Sequence, residues 1–182
     1  DVRLSRGLGD VYKRQHYEVT TLRTESLYRD GRRPDVVEWG RSLKEDLSRR
    51  DFTFNSMAVD VARRQLYDPY AGVNDLQQRV VRAVGDASQR CEEDALRILR
   101  AYRFTRRDSG PLWSMDGELV SAIARHSTRL GMVAIERRWM EVRKVLLGPK
   151  PGAVLRSMQD DGVLRHVFER LVVINPALFE AM

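Results

Sequence analysis

Two stretches of the chain put charged side chains at spacings that chemistry uses. In EEDALRILRAYRF, Asp94 and Arg97 stand three residues apart. On a helix that spacing brings both to one face. A carboxylate beside a guanidinium offers an acceptor and a fork of donors, a set able to read the edge of a nucleobase. The same spacing also makes an ordinary ion pair on a solvated face, and spacing alone leaves both readings open. In RRDFTFNSMAVD, Arg49, Arg50, Asp51 and Asn55 crowd against Phe52, Phe54, Met57 and Val59. Charge set among apolar residues must be paired or bound. A phosphate-bearing ligand would supply partners; so would an Arg and Asp network tying a helix to a hairpin.

The elements that would position these residues follow from the pattern around them. HYEVTTLRT, from His16, has the β-branched and aromatic content and rough alternation of a strand, and Glu25 to Asp35 reads as a loop broken by Gly31 and Pro34. Ser42 with Glu45 three residues on is a capping box opening a short helix. Met57–Asp60 and Gln65–Asp68 make a hairpin, and DPYAGVNDL is a turn into a short helix. After Gly85 the periodicity turns helical. Ala95, Ile98, Leu99 and Tyr102 mark one apolar face, Leu119, Val120, Ile123 and Leu130 a second, and Ile135, Trp139, Val142 and Leu146 a third. GPKPG breaks the chain, Ala153 to Gln159 is helical again, and Gly162 is a stop. The pattern predicts an α+β segment to about residue 86 and an all-helical one after it.

Composition sets outer bounds. Of 182 residues, 42% are apolar and 32% charged, a globular balance that argues against wholesale disorder. No apolar run is long enough to span a bilayer, and no membrane partner is expected. Cys91 is the single cysteine and His16, His126 and His166 are scattered, so neither a disulfide framework nor a zinc site is expected, and a reducing, cytoplasmic setting is. The formal charge of +6 favours a polyanionic partner. Only four of the 32 basic residues are lysines, and arginine's planar fork suits phosphate and base edges, although a GC-rich genome would produce the same bias.

Taken in order, EVTTLRT, the RRDFTFNSMAVD stretch, DPYAGVNDL, EEDALRILRAYRF and ERRWMEVRKVLLGPKPGAVLRSMQDDGVL resemble the bacterial class II tRNA nucleotidyltransferases, the CCA-adding enzymes, and the related bacterial poly(A) polymerases. The resemblance runs from His16 to about Phe168. It implies part of a polymerase-beta-type head, a small sheet with helices, over residues 16–86, a helical nucleotide-selecting neck over 87–169 and the start of a body at 170–182. Residues 1–15 are left unmatched.

The resemblance also implies roles. Glu18 would be the head's third carboxylate, a catalytic ligand of two Mg2+ ions whose other ligands belong to an upstream Asp-x-Asp; residues 1–15 contain no such pair, so the chain alone is expected not to add nucleotides. Arg49, Arg50, Asp51 and Asn55 would meet the ribose and triphosphate of ATP or CTP, with Asp51 toward the sugar hydroxyl and Asn55 ordering the backbone. Asp94 and Arg97 would act as an amino-acid template for cytosine or adenine, joined at the nucleotide by Arg100. Asp68, Gly72 and Asp75 would form a hinge-like motif, and Glu93, Arg137 and Glu141 would support the template. The implied activity is template-independent addition of CMP and AMP to the 3′ end of tRNA. Poly(A) synthesis, or a noncatalytic nucleotide- or RNA-binding role, are the alternatives. Four positions depart from the family: Phe54, Ser56, Cys91 and Ala134, the last costing about 1 kcal/mol of helix capping. The sequence carries no mark of oligomeric state.

Overall fold

The computed structural model describes residues 42–106 and 110–168, together with the backbone of two short strands at 23–26 and 36–39. The chain forms two compact units that divide between Arg49 and Arg50, well before the change of character the sequence shows near residue 86. In the first unit β1 (Arg23–Ser26) pairs antiparallel with β2 (Val36–Trp39), Arg23 opposite Trp39 and Ser26 opposite Val36. The expected loop from Glu25 to Asp35 therefore gives way at its start to strand. α1 (Leu43–Ser48) opens as the capping box requires: the Ser42 hydroxyl accepts the Glu45 N–H at 3.4 Å.

The second unit is built outward from RRDFTFN. Phe52 bridges Ala83 in antiparallel fashion, with the Thr53 N–H donating to the Arg82 carbonyl at 3.0 Å and the Val84 N–H to the Asp51 carbonyl at 3.2 Å. Thr53–Asn55 then tightens into a 3-10 turn before the predicted hairpin, β3 (Ala58–Asp60) against β4 (Gln65–Tyr67). α2 (Gly72–Gln78) follows, its first N–H groups capped by the Asp68 carboxylate, which accepts from Gly72 at 2.7 Å and Val73 at 2.9 Å. Phe52, Phe54, Phe104 and Trp113 stack and cross edge to face at 5.3–5.8 Å between centroids, and this aromatic knot is where the sheet residues meet the helices.

Beyond Gly85 come α3 (Ala87–Glu93), α4 (Leu96–Phe104), α5 (Gly117–His126), α6 (Ile135–Leu146), α7 (Pro151–Asp160) and α8 (Leu164–Val167). Three expectations are corrected here. The segment is not all-helical: β6 (Ser114–Met115) pairs parallel with β5 (Val80–Val81), a two-residue ladder too short for any periodicity to announce. A single helix does not carry Asp94 and Arg97: the chain breaks at Asp94, which is extended (φ −147, ψ 102) and ends α3. The apolar face read for α6 holds only in its second half: Val142 is buried and Leu146 packs partly buried against the core, but Ile135 and Trp139 are nearly half exposed while Arg138, Glu141 and Val145 are buried. Charges can occupy that face because each finds partners: Arg138 donates to the carbonyls of His166 at 3.2 Å and Val167 at 2.7 Å.

Other signals were read correctly. Ile98, Leu99, Ala101 and Tyr102 are at most 1% exposed on α4. Gly162 stops α7 at φ 69, with the Val163 N–H returning to the Met158 carbonyl at 2.8 Å and the Gly162 N–H to Gln159 at 2.9 Å. Ala134 provides no side-chain cap to α6. Cys91, 1% exposed, is a core residue whose thiol burial pushes up to about 11 against a small opposing pull from Arg97, so it packs rather than reacts.

Gly72 fixes how closely α2 lies on the 3-10 turn. A Cβ there would sit 2.4 Å from the Thr53 carbonyl oxygen and 2.8 Å from its carbon, both backbone atoms. Gly72→Ala is therefore expected to lower stability by about 1–3 kcal/mol, the usual cost of overpacking, despite alanine's better helix propensity. Urea unfolding at equilibrium checks this; a neutral or stabilising outcome would mean that the two segments separate freely.

Candidate functional site

Eight of the polar residues singled out in the sequence line one groove of the second unit. It encloses about 670 Å³ and is lined by Arg50, Asp51 and Asn55 from the RRDFTFN turn, Asp94 and Arg97 from the break between α3 and α4, Leu96, Arg100 and Phe104 along α4, and Arg137 and Glu141 from α6. Four guanidinium groups and three carboxylates thus face a space that fits a small molecule.

Asp51 is the hub. It is 8% exposed, and its Oδ1 accepts from the Phe52 N–H at 2.9 Å and from Asn55 Nδ2 at 3.0 Å. Its Oδ2 accepts from Arg100 Nε at 2.7 Å and Nη2 at 2.5 Å, which ties the turn to α4. Arg50 reaches back to the Asn55 carbonyl at 3.2 Å, so Asn55 joins both neighbours.

Asp94 owes its position to the backbone break. Its Oδ1 accepts the Leu96 N–H at 3.1 Å, an N-terminal cap on α4, and its Oδ2 lies 3.4 Å from Arg137 Nη2. Arg97 is held from behind, its Nη1 donating to Glu93 Oε2 at 3.2 Å and to the Arg90 carbonyl at 3.4 Å. Arg90 Nη2 in turn holds Glu93 Oε1 at 2.7 Å. The two are anchored by different partners, Asp94 by the Leu96 N–H and Arg137, and Arg97 by Glu93 and the Arg90 carbonyl.

Glu141 closes the far wall. Its Oε2 accepts from Arg103 Nε at 2.8 Å and its Oε1 from Lys144 Nζ at 2.7 Å, with Arg100 Nη1 at 3.9 Å. Burial alone would raise the Glu141 carboxyl above its usual range, but the Lys144 hydrogen bond and the charges of Arg103, Lys144 and Arg100 together hold it below. Under the groove Asp75, 2% exposed, accepts from Thr53 Oγ1 at 2.6 Å and Arg82 Nε at 3.2 Å, so the DPYAGVNDL motif supports the turn from beneath.

Two expected site residues do not belong to the second unit as described. Arg49 pairs with Asp46 at 2.5 Å within the first unit, and Glu18 lies outside the described residues. Among the described residues no group of three or more His, Cys, Asp or Glu side chains is placed to hold a metal ion. Sequence reasoning missed Leu96, Phe104, Arg103 and Lys144. Arg103 stacks over the Phe104 ring at 4.2 Å while reaching Glu141, and the RAYRF run carried the only signal for it.

The small sheets, the helical framework and the arginine-lined groove have counterparts among the nucleotidyltransferases. A family model described as "Poly A polymerase head domain" matches residues 6–82, reaching into the segment that the sequence reading left unmatched. A second, "Probable RNA and SrmB- binding site of polymerase A", matches residues 114–174. The CCA-adding enzyme of Pediococcus pentosaceus is 44% identical over 148 residues, 81% of this chain and 36% of that protein. The crystal structure of the Bacillus stearothermophilus CCA-adding enzyme in complex with CTP superposes with a TM-score of 0.71 at 36% identity, covering 83% of this chain and 35% of that one. The Thermotoga maritima CCA-adding enzyme complexed with tRNA follows at 0.67 and 28%, covering 76% of this chain and 33% of that one. The chain belongs to the family of CCA-adding enzymes and poly(A) polymerases, and it spans about a third of the length of the relatives it matches.

Glu141 allows a test of the groove's charge balance. Glu141→Gln keeps the shape and removes the charge that Arg103 and Lys144 share. Lys144 is half exposed, so the expected loss is about 2 kcal/mol at neutral pH, short of the roughly 3–5 kcal/mol of an enclosed pair. Because the folded-state value is depressed, the stability Glu141 contributes is complete above the ordinary glutamate range and disappears as pH falls through that depressed value. Denaturation at stepped pH should show a constant gap between the two proteins above about pH 5 and a closing one in acid. A gap that persists into acid would assign the effect to packing.

Proposed function

We propose that the chain is the nucleotide-selecting portion of an enzyme that adds CMP and AMP, from CTP and ATP, to the 3′ end of tRNA in the cytoplasm. The observation that carries this reading is the placement of Asp94 and Arg97 on the wall of the same groove as Arg50 and Asp51. Base-reading and phosphate-facing groups then lie within reach of one nucleotide.

In this reading the base edge meets Asp94 as acceptor and Arg97 as donor. A base lacking the complementary groups displaces water from both polar side chains without replacing its hydrogen bonds, which is how such sites discriminate. The Leu96 N–H donated to Asp94 and the brace from Glu93 hold the two in place, so little side-chain freedom is lost on binding. Asp51 faces the sugar, Arg50 and Arg100 face the phosphates, and the arginine-rich surface draws the tRNA end by counterion release. When bound, two Mg2+ ions supply charge neutralisation on the triphosphate and activation of the attacking hydroxyl, and Glu18 would contribute to holding them.

Two outcomes are expected. Assayed with tRNA lacking its 3′ end, the chain alone adds neither CMP nor AMP, whereas a form carrying a head with its Asp-x-Asp adds both; incorporation by the chain alone would sink the assignment of Glu18. Asp94→Ala or Arg97→Ala in the longer form lowers discrimination among the four nucleoside triphosphates by roughly 10- to 100-fold, matching the about 1–3 kcal/mol of a good base contact, with triphosphate affinity largely kept. Equal loss for all four would mean that the pair is structural. A product extended by adenylates alone, with CTP unused, would favour poly(A) synthesis.

A further inference from the structure

The carboxylate of Asp51 has no acceptor capacity left. A carboxylate presents about four lone-pair sites. Phe52 N–H and Asn55 Nδ2 take two on Oδ1, and Arg100 Nε and Nη2 take two on Oδ2. A sugar hydroxyl can donate to Asp51 only after one of these donors leaves.

The donors differ in how readily they can do so. The Phe52 N–H belongs to backbone held by the bridge to Ala83, and Asn55 sits in the 3-10 turn with its carbonyl tied to Arg50. Arg100 is the exception. A third of its side chain is exposed to the groove, and its Nη1 already lies 3.9 Å from Glu141 Oε1, so a second carboxylate stands beside it when it turns. A phosphate oxygen is the natural competitor, since guanidinium binds phosphate and carboxylate with the same paired geometry.

We propose that Arg100 is a lock on Asp51, so that the sugar of a nucleotide is read only after its phosphates have drawn Arg100 away. Exchange of an Arg–carboxylate contact for an Arg–phosphate contact costs little. A ligand without phosphates must break the first contact and receives nothing in return. Arg100 thereby makes sugar recognition conditional on the polyphosphate and sets specificity without touching the sugar. The inference rests on the reading of the groove as a nucleotide site with Asp51 toward the ribose.

The test is calorimetric titration of the protein with CTP, CMP and cytidine, each beside its 2′-deoxy and 3′-deoxy analogue, for the unaltered protein, Arg100→Met, Arg100→Lys and Asp51→Asn, with thermal unfolding as a check of folding. In the unaltered protein the preference for the natural sugar should be large for CTP and shrink at least 5-fold towards cytidine. In Arg100→Met, CTP and its deoxy analogues should weaken together by 10-fold or more, while the sugar preference becomes the same for all three phosphate states. Arg100→Lys, which keeps the charge but loses the fork, should fall between them and serves if the methionine variant does not fold. Loss of sugar preference for CTP in both Arg100 variants would overturn the lock and make Arg100 a brace for Asp51. Equal preference for CTP and cytidine in the unaltered protein would overturn it as well. The underlying reading fails separately: an unchanged sugar preference in Asp51→Asn, or no binding of CTP at all, removes Asp51 from the sugar and the lock with it.

Discussion

A single buried carboxylate organises this protein's second unit. Asp51 stands where the backbone turns from the Phe52–Ala83 bridge into a 3-10 turn, and Arg100 carries its charge across to α4. That contact adds a directed bond to the apolar packing between the turn and the helix, of which the aromatic knot is part. From Arg100 the line of charge continues to Glu141 and thence to Arg103 and Lys144. The groove is the space left along that line, so its shape and its charge pattern have the same origin.

The burial of charge on α6 follows from this. A helix facing a purely hydrocarbon core would present Ile135 and Trp139 inward, as their spacing suggests. Here α4 already brings Arg100 and Arg103 to the contact, and the inward face of α6 answers with Glu141 while Arg138 secures the carbonyls at the end of α8. Val142 and Val145 supply the apolar part of the contact, and the larger side chains are left outside.

This explains what the sequence disclosed. Local signals were legible wherever one residue's chemistry decided the backbone: Ser42 as a cap, Gly162 as a stop, the hairpin after Met57, the apolar face of α4. Ten residues that line or back the groove were also legible, because the motifs place them in order along the chain. What periodicity could not show was decided by partners far away in sequence. β6 exists because β5 lies beside it, the phase of α6 is set by α4, and Arg103 and Lys144 matter only once Glu141 is seen between them. The break at Asp94 is the instructive case: EEDALRIL has good helix formers on both sides, and the interruption comes from a side chain that competes with the helix for the Leu96 N–H.

In the proposed reading, with Asp94 standing in for a template, that interruption has a consequence. In a nucleic-acid strand a coding base is held flat and at fixed height by its stacked neighbours, so its edge is presented without search. An aspartate in mid-helix has no such support and would sample several rotamers. By ending one helix and capping the next, Asp94 exchanges rotameric freedom for a bond to the main chain, and its second oxygen lies 3.4 Å from Arg137 Nη2 on the groove wall. If Asp94 reads a base as proposed, the kink between α3 and α4 is the protein's counterpart of base stacking.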